Sequence, residues 1–200
     1  MNDFFKLNEY IIKQKVQPFK SAKTIMIINP ENNEEIADIK KIVLEKDGFF
    51  IAGRHALGIY TPDEKRIATV GEINAVGGTD EETEEKKNRL ILGVLDENDE
   101  VMGKFFSKNM LGATLFINDP NDERVGELKV GFTGDKIIDV NGNEVLKVGR
   151  YTAGVIRESL TKAKSFKLKM LKEVEDNEKI LFVTAAILYQ IMCSYNVHIW

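Results

Sequence analysis

From residue 24 to residue 148 the chain repeats one phrase: a short run of alternating apolar and polar residues, a polar turn of Asn, Asp, Gly or Glu, and a second alternating run. A period of two puts successive side chains on opposite faces of a pleated strand, so each phrase predicts a hairpin of half-buried strands. Six hairpins follow, pairing 24–29 with 35–41, 42–45 with 49–53, 57–60 with 66–73, 90–95 with 101–106, 113–117 with 124–130 and 136–140 with 144–148. Their turns carry residues suited to left-handed or proline-fixed backbone: Asn29-Pro30, Lys46-Asp47-Gly48, Thr61-Pro62-Asp63, Asp96-Glu97-Asn98, Asp119-Pro120-Asn121 and Asn141-Gly142. Asn141-Gly142 is the clearest two-residue hairpin signal. Two more alternating segments, 10–16 and 164–171, lie outside these pairs. In the second, Phe166, Leu168 and Met170 share one face and Lys167 and Lys169 the other. A helical turn is expected over 154–162, and the acidic, aperiodic stretch 76–87 reads as a solvated loop.

The C-terminal segment breaks the period. With His198 neutral, residues 180–200 carry no formal side-chain charge, and Ile180, Leu181, Phe182 and Val183 in succession put apolar groups on every face of a helix spanning about 177–195. Such a helix must be enclosed by protein or by lipid. A bilayer span takes about 20 mostly apolar residues. The run 180–195 is shorter, is interrupted by Thr184, Gln190 and Ser194, and has no Lys or Arg cluster after it; 196–200 has the look of a final strand. A tail-anchored membrane protein is therefore the alternative. Enclosure fits the strand count, because a helix roughly 10–12 Å across needs a barrel wider than the eight-stranded kind that side chains alone can fill. Six hairpins supply twelve strands, and cans of about eleven strands do close around a central helix. The expected fold is a mainly-β single domain over 1–200: a closed antiparallel barrel of about twelve strands around a buried C-terminal hydrophobic helix.

Composition narrows the function. The chain is 43% hydrophobic and 30% charged with 4 prolines, which leaves little room for disordered linkers. Its single cysteine, Cys193, excludes an intrachain disulfide and sits in an apolar run as a buried thiol would. The first fifteen residues lack the apolar core of a secretory signal, so a cytoplasmic location is expected, with peripheral membrane association as an option. A net charge of −4 weighs against nucleic acid as a partner. Charge is uneven, however: five of the six residues from Asp80 to Glu85 are acidic, whereas 147–172 holds Lys147, Arg150, Arg157, Lys162, Lys164, Lys167, Lys169 and Lys172 against Glu158 alone.

Catalytic chemistry finds little footing. Nucleophile-elbow, phosphate-loop, dinucleotide and zinc-protease motifs are missing, and His55 and His198 have no companion residues in a motif. The acidic turn at Asp96-Glu97-Asn98-Asp99-Glu100 lacks the glycine and twelfth-position glutamate of a calcium loop. The expectation is a non-enzymatic protein with no catalytic residue, metal or cofactor. The positive signal lies in lysine pairs, Lys13 with Lys15 and Lys167 with Lys169, each pointing to one side of its strand. With Lys162 and Lys164 they form the candidate ligand site, since spaced ammonium groups suit phosphate oxygens. The competing structural explanation is that they solvate the outer wall or blunt sheet edges.

Several of these segments resemble the tubby C-terminal-like superfamily, in its phospholipid-scramblase-like and LURP-one-related branch. The resemblance rests on Tyr10-Ile11-Ile12-Lys13-Gln14-Lys15 leading into Thr24-Ile25-Met26-Ile27-Ile28-Asn29, on Asp139-Val140-Asn141-Gly142-Asn143-Glu144, and on Phe166-Lys167-Leu168 ahead of the apolar helix. It covers nearly the whole chain and implies that the helix lies inside the barrel. It also implies an anionic membrane lipid or phosphoinositide as ligand for a monomeric binding module, the alternative being a protein-interaction scaffold that uses the Asp80–Glu85 loop. One departure matters. The Asp-Ala-Asp segment followed by Phe, proposed to bind calcium in scramblase-like proteins, is matched here by Lys162-Ala163-Lys164-Ser165-Phe166, so calcium-triggered scrambling is not carried over.

Overall fold

The computed structural model describes residues 3–15, 24–43, 50, 55–73, 91–107, 114–131, 134–150 and 165–195, with 14, 15, 24, 55, 107 and 192–195 described by backbone alone. Twelve strands form the wall: β1 (Glu9–Lys15), β2 (Thr24–Ile28), β3 (Glu35–Val43), β4 (His55–Tyr60), β5 (Arg66–Glu72), β6 (Ile91–Asp96), β7 (Val101–Ser107), β8 (Thr114–Asn118), β9 (Arg124–Lys129), β10 (Asp135–Asp139), β11 (Glu144–Arg150) and β12 (Ser165–Met170). Each pairs antiparallel with its neighbours in sequence, and β1 pairs with β12 to close the barrel. A short helix α1 (Asp3–Lys6) precedes the wall, and α2 (Asp176–Tyr195) lies inside it.

Five of the six expected hairpins form. Of the sixth, 42–45 with 49–53, the described part pairs otherwise: β3 runs through Ile42 to Val43 and pairs with β4, Ile42 opposite Ala56 and Val43 opposite His55, while 44–49 and 51–54 lie outside the described residues. Beyond β3, Phe50 makes a single bridge to Ile73 and clusters with Ile73 and Leu95 apart from the main core. The count of twelve is reached instead because 10–16 and 164–171 become β1 and β12. The expected elements at 76–87, 154–162 and 196–200, the turn at 46–48, His198, and the side chains of His55 and Cys193 lie outside the described residues.

The tight turns gather at one end of the barrel and reuse one geometry. Asp96 accepts hydrogen bonds at Oδ1 from the amides of Asn98 and Glu100, at 2.8 and 2.9 Å. Asp119 does the same for Asn121 and Glu123, and Asp139 for Asn141 and Asn143. In each case the residue three positions after the aspartate has positive φ: Asp99 (66°), Asp122 (66°) and Gly142 (81°). Asn141-Gly142 is thus not a two-residue loop with both residues left-handed. Asp139 caps two amides and draws the turn into the same longer form, with a bulge in the ladder between Ile137 and Ile138.

At this end α1 plugs the opening. Phe4 and Phe5 are buried in the main core, and the Tyr10 hydroxyl donates to the carbonyls of Phe4 and Leu7, both at 2.9 Å. Lys179, at the start of α2, donates to the Lys6 carbonyl at 3.3 Å and to Asn8 Oδ1 at 3.0 Å, and burial pushes its ammonium below the ordinary lysine range. No helix of the described residues is long and apolar enough to cross a membrane. The apolar faces of α2 are spent on the lumen: Leu181, Phe182, Val183, Ala185, Ala186, Leu188 and Ile191 are each at most 1% exposed.

Two polar side chains share that lumen. Gln190 donates to Asp135 Oδ2 at 2.8 Å, but the Thr184 hydroxyl, fully buried against Ile187 and Ile191 and the β3–β5 wall, has no hydrogen-bond partner among the described residues. Replacing it by an isosteric methyl removes an unmet desolvation cost. Thr184→Val is therefore expected to raise unfolding free energy by about 1 kcal/mol, read as a higher urea midpoint at unchanged m-value.

Candidate functional site: a lysine ladder on the barrel wall

The inward positions of β9–β12 are filled by Leu128, Ile137, Leu146, Val148 and Leu168, all buried. Strand alternation then sends the neighbouring residue of each strand outward, and the antiparallel register lines these up. Lys129 stands opposite Lys136, Lys136 opposite Lys147, and Lys147 opposite Lys169. The row ends at Glu9, opposite Lys169 on β1. With strands about 4.8 Å apart, four lysines span about 14 Å of wall. Like charges directly opposite one another destabilise a sheet.

Carboxylates offset part of this charge. Glu9 bridges Lys167 at 2.7 Å and Lys169 at 3.1 Å. Hydrogen bonds from these two ammonium groups hold its carboxyl below the usual glutamate range. Lys136 pairs with Glu144, whose carboxyl is lowered by that hydrogen bond, and Lys129 lies 3.6 Å from Glu127. Lys147, exposed in the middle of the row, makes neither a hydrogen bond nor an ion pair among the described residues.

Of the residues expected to bind ligand, Lys167 and Lys169 face outward together on β12, and Lys13 lies on the same face of β1, opposite Ser165. Lys15 ends β1 opposite Thr24, with its side chain outside the described residues, as are Lys162 and Lys164 altogether. Lys129 and Lys136 were not expected to belong. A hairpin centred on Asn141-Gly142 does place Lys136 opposite Lys147, so part of the ladder was readable; the remainder depends on pairings between strands with no turn signal to set them.

A second feature sits at the turn end. Asp139, Glu173, Glu175 and Glu178, with Lys172 among them, line a cleft of about 500 Å³ that also exposes Val140. Burial, then the charge of Glu175, pushes the Glu178 carboxyl above its ordinary value. Among the described residues no group of three or more His, Cys, Asp or Glu side chains is placed to hold a metal ion.

The geometry defines the class of fold: a closed twelve-stranded antiparallel barrel with a hydrophobic helix in its lumen. No family model matches the sequence, and no curated protein is significantly similar to it. Among solved structures the chain is similar to a protein from Arabidopsis thaliana, AT5G01750, with a TM-score of 0.52 and 9% sequence identity, over 94% of this chain and 92% of that one. At that identity the likeness establishes a shared fold.

Proposed function

We propose that the protein is a non-enzymatic binding module that meets an anionic phospholipid surface, or another phosphorylated ligand, through its lysine-bearing wall. The observation that carries this reading is the register of Lys129, Lys136, Lys147 and Lys169, each directly opposite the next. Blunting of sheet edges does not account for these lysines, since a closed barrel has no edge to protect. Solvation alone would be served as well by alternating charges, which stabilise cross-strand pairs where like charges oppose them. The shared barrel of the plant protein supports the finer assignment to the tubby-like superfamily, in its scramblase-like and LURP-one-related branch, whose tubby members bind phosphoinositides.

The test is co-sedimentation with phosphatidylcholine vesicles, with and without phosphatidylserine, over a series of salt concentrations. Binding is expected only with the anionic lipid and should weaken as salt screens the wall. Lys147→Glu, which removes one positive charge and adds a negative one, should weaken it by about 2 kcal/mol. Equal binding to neutral and anionic vesicles would overturn the reading. The alternative, an interaction scaffold without a lipid role, was tied to the Asp80–Glu85 loop, which lies outside the described residues.

A further inference from the structure

We infer that Glu9 is a built-in counter-ion that competes with the lipid phosphate for Lys167 and Lys169, leaving Lys147 as the point where the wall first takes up its ligand. This deepens the membrane-binding reading above and rests on it.

One carboxylate here receives two ammonium groups, Lys167 at 2.7 Å and Lys169 at 3.1 Å, the arrangement a phosphate oxygen pair would adopt on the same lysines. The group is reachable, with Glu9 29% and Lys169 58% exposed at their side chains. Its backbone is not free to withdraw. The next residue, Tyr10, is fully buried and tied through its hydroxyl to the carbonyls of Phe4 and Leu7, and Glu9 is held in register opposite Lys169. Competition therefore takes place by rotation of the side chain alone, and exposed ion pairs are weak enough for a lipid phosphate to displace one. On the far side of the row, Glu144 plays the same part for Lys136. Lys147 stands between these two partly neutralised lysines with no hydrogen bond or ion pair among the described residues, its charge reaching Glu144 only through space.

The experiment compares vesicle affinity of the full chain, Glu9→Gln, Lys147→Ala and Glu64→Gln, the last removing a carboxylate that pairs with Lys40 on a distant part of the wall. On phosphatidylcholine–phosphatidylserine vesicles at fixed salt, Glu9→Gln should bind about fivefold more tightly and Lys147→Ala about fivefold less, the size of one unit charge at an anionic membrane. Glu64→Gln should match the full chain. If Glu9→Gln binds like the full chain, or if Glu64→Gln gains as much, the counter-ion role is overturned while membrane binding stands. If neither the full chain nor Glu9→Gln binds anionic vesicles, the membrane reading fails and takes this inference with it. Melting curves in inorganic phosphate against chloride at equal ionic strength form a lipid-free arm: phosphate should raise the melting temperature of Glu9→Gln more than that of the full chain, and equal shifts would count against the competition. Should Glu9→Gln not fold, Glu9→Asp, which shortens the reach to both lysines, should show a smaller gain in the same direction, and its absence would overturn the role equally.

Discussion

A chain ending at Asp176 is expected to stay unfolded: no cooperative melt, and a far-UV spectrum without a barrel's strand signal. The cut removes all but the first residue of α2, and with it Ile180, Leu181, Phe182, Val183, Ile187, Leu188 and Ile191, none of them more than 7% exposed. At roughly 1.5–3 kcal/mol for each large side chain, about 10–21 kcal/mol of burial is lost. A domain's whole net stability is about 5–15 kcal/mol. The loss is larger still on the wall side, because Phe105, Ile117, Leu128, Ile137 and Leu168 point inward and would line an unfilled lumen. Such a wall cannot collapse to fill the space, since each strand is held by ladders on both edges. Removal also takes away Lys179, whose hydrogen bonds to the Lys6 carbonyl and Asn8 hold α1 over the opening. A soluble truncation that melted cooperatively would mean the wall has a core of its own.

How far the sequence discloses this architecture depends on the distance over which each feature is encoded. The hairpins around residues 96–100, 119–123 and 139–143 are legible because alternation and turn chemistry lie within a dozen residues of each other. So is α2, whose lack of a polar face excludes a solvent-exposed position. Barrel closure is of another kind. β1 and β12 each alternate visibly, but nothing local says that Glu9 will stand opposite Lys169; their pairing follows only when the other strands have brought the two edges together. Helix α1 is too short to display a period, and adjacent Phe4 and Phe5 give no amphipathic signal, so the plug was not foreseen. At 42–53 the described residues depart from the expected pairing: Lys46-Asp47-Gly48 reads well as a turn, yet Ile42 and Val43 stand opposite Ala56 and His55 of β4 rather than 49–53. The ladder was half-visible for the same reason. Each strand shows one or two ordinary outward lysines, and only the register between strands turns four such residues into a row.

Gly103→Ala is expected to cost about 3 kcal/mol or more, from a strained backbone together with overpacking. Gly149→Ala, also within a strand, should stay within about 0.5 kcal/mol. The two glycines differ in what a side chain would meet. At Gly103, where φ is +154°, an added Cβ lies 2.3 Å from the Asn118 carbonyl oxygen and 2.9 Å from a methyl of Leu181. The carbonyl cannot yield cheaply, because β7 and β8 are paired there, Lys104 opposite Asn118. Leu181 cannot yield either, because it is packed in the core on α2. At Gly149 no atom of the described residues stands within 4 Å of an added Cβ. Gly126 repeats the arrangement one strand beyond β8, where an added Cβ would meet the Ile138 carbonyl at 2.7 Å and the Phe182 ring at 2.9 Å. Consecutive helix residues, Leu181 and Phe182, thus lie over positions where the wall has no side chain, and the missing side chains seat the helix as much as the apolar ones that surround it. Urea titration of the two alanine variants separates this from a general penalty for alanine in strands: if Gly103→Ala unfolds at the same denaturant concentration as Gly149→Ala, the helix does not depend on close approach to β7.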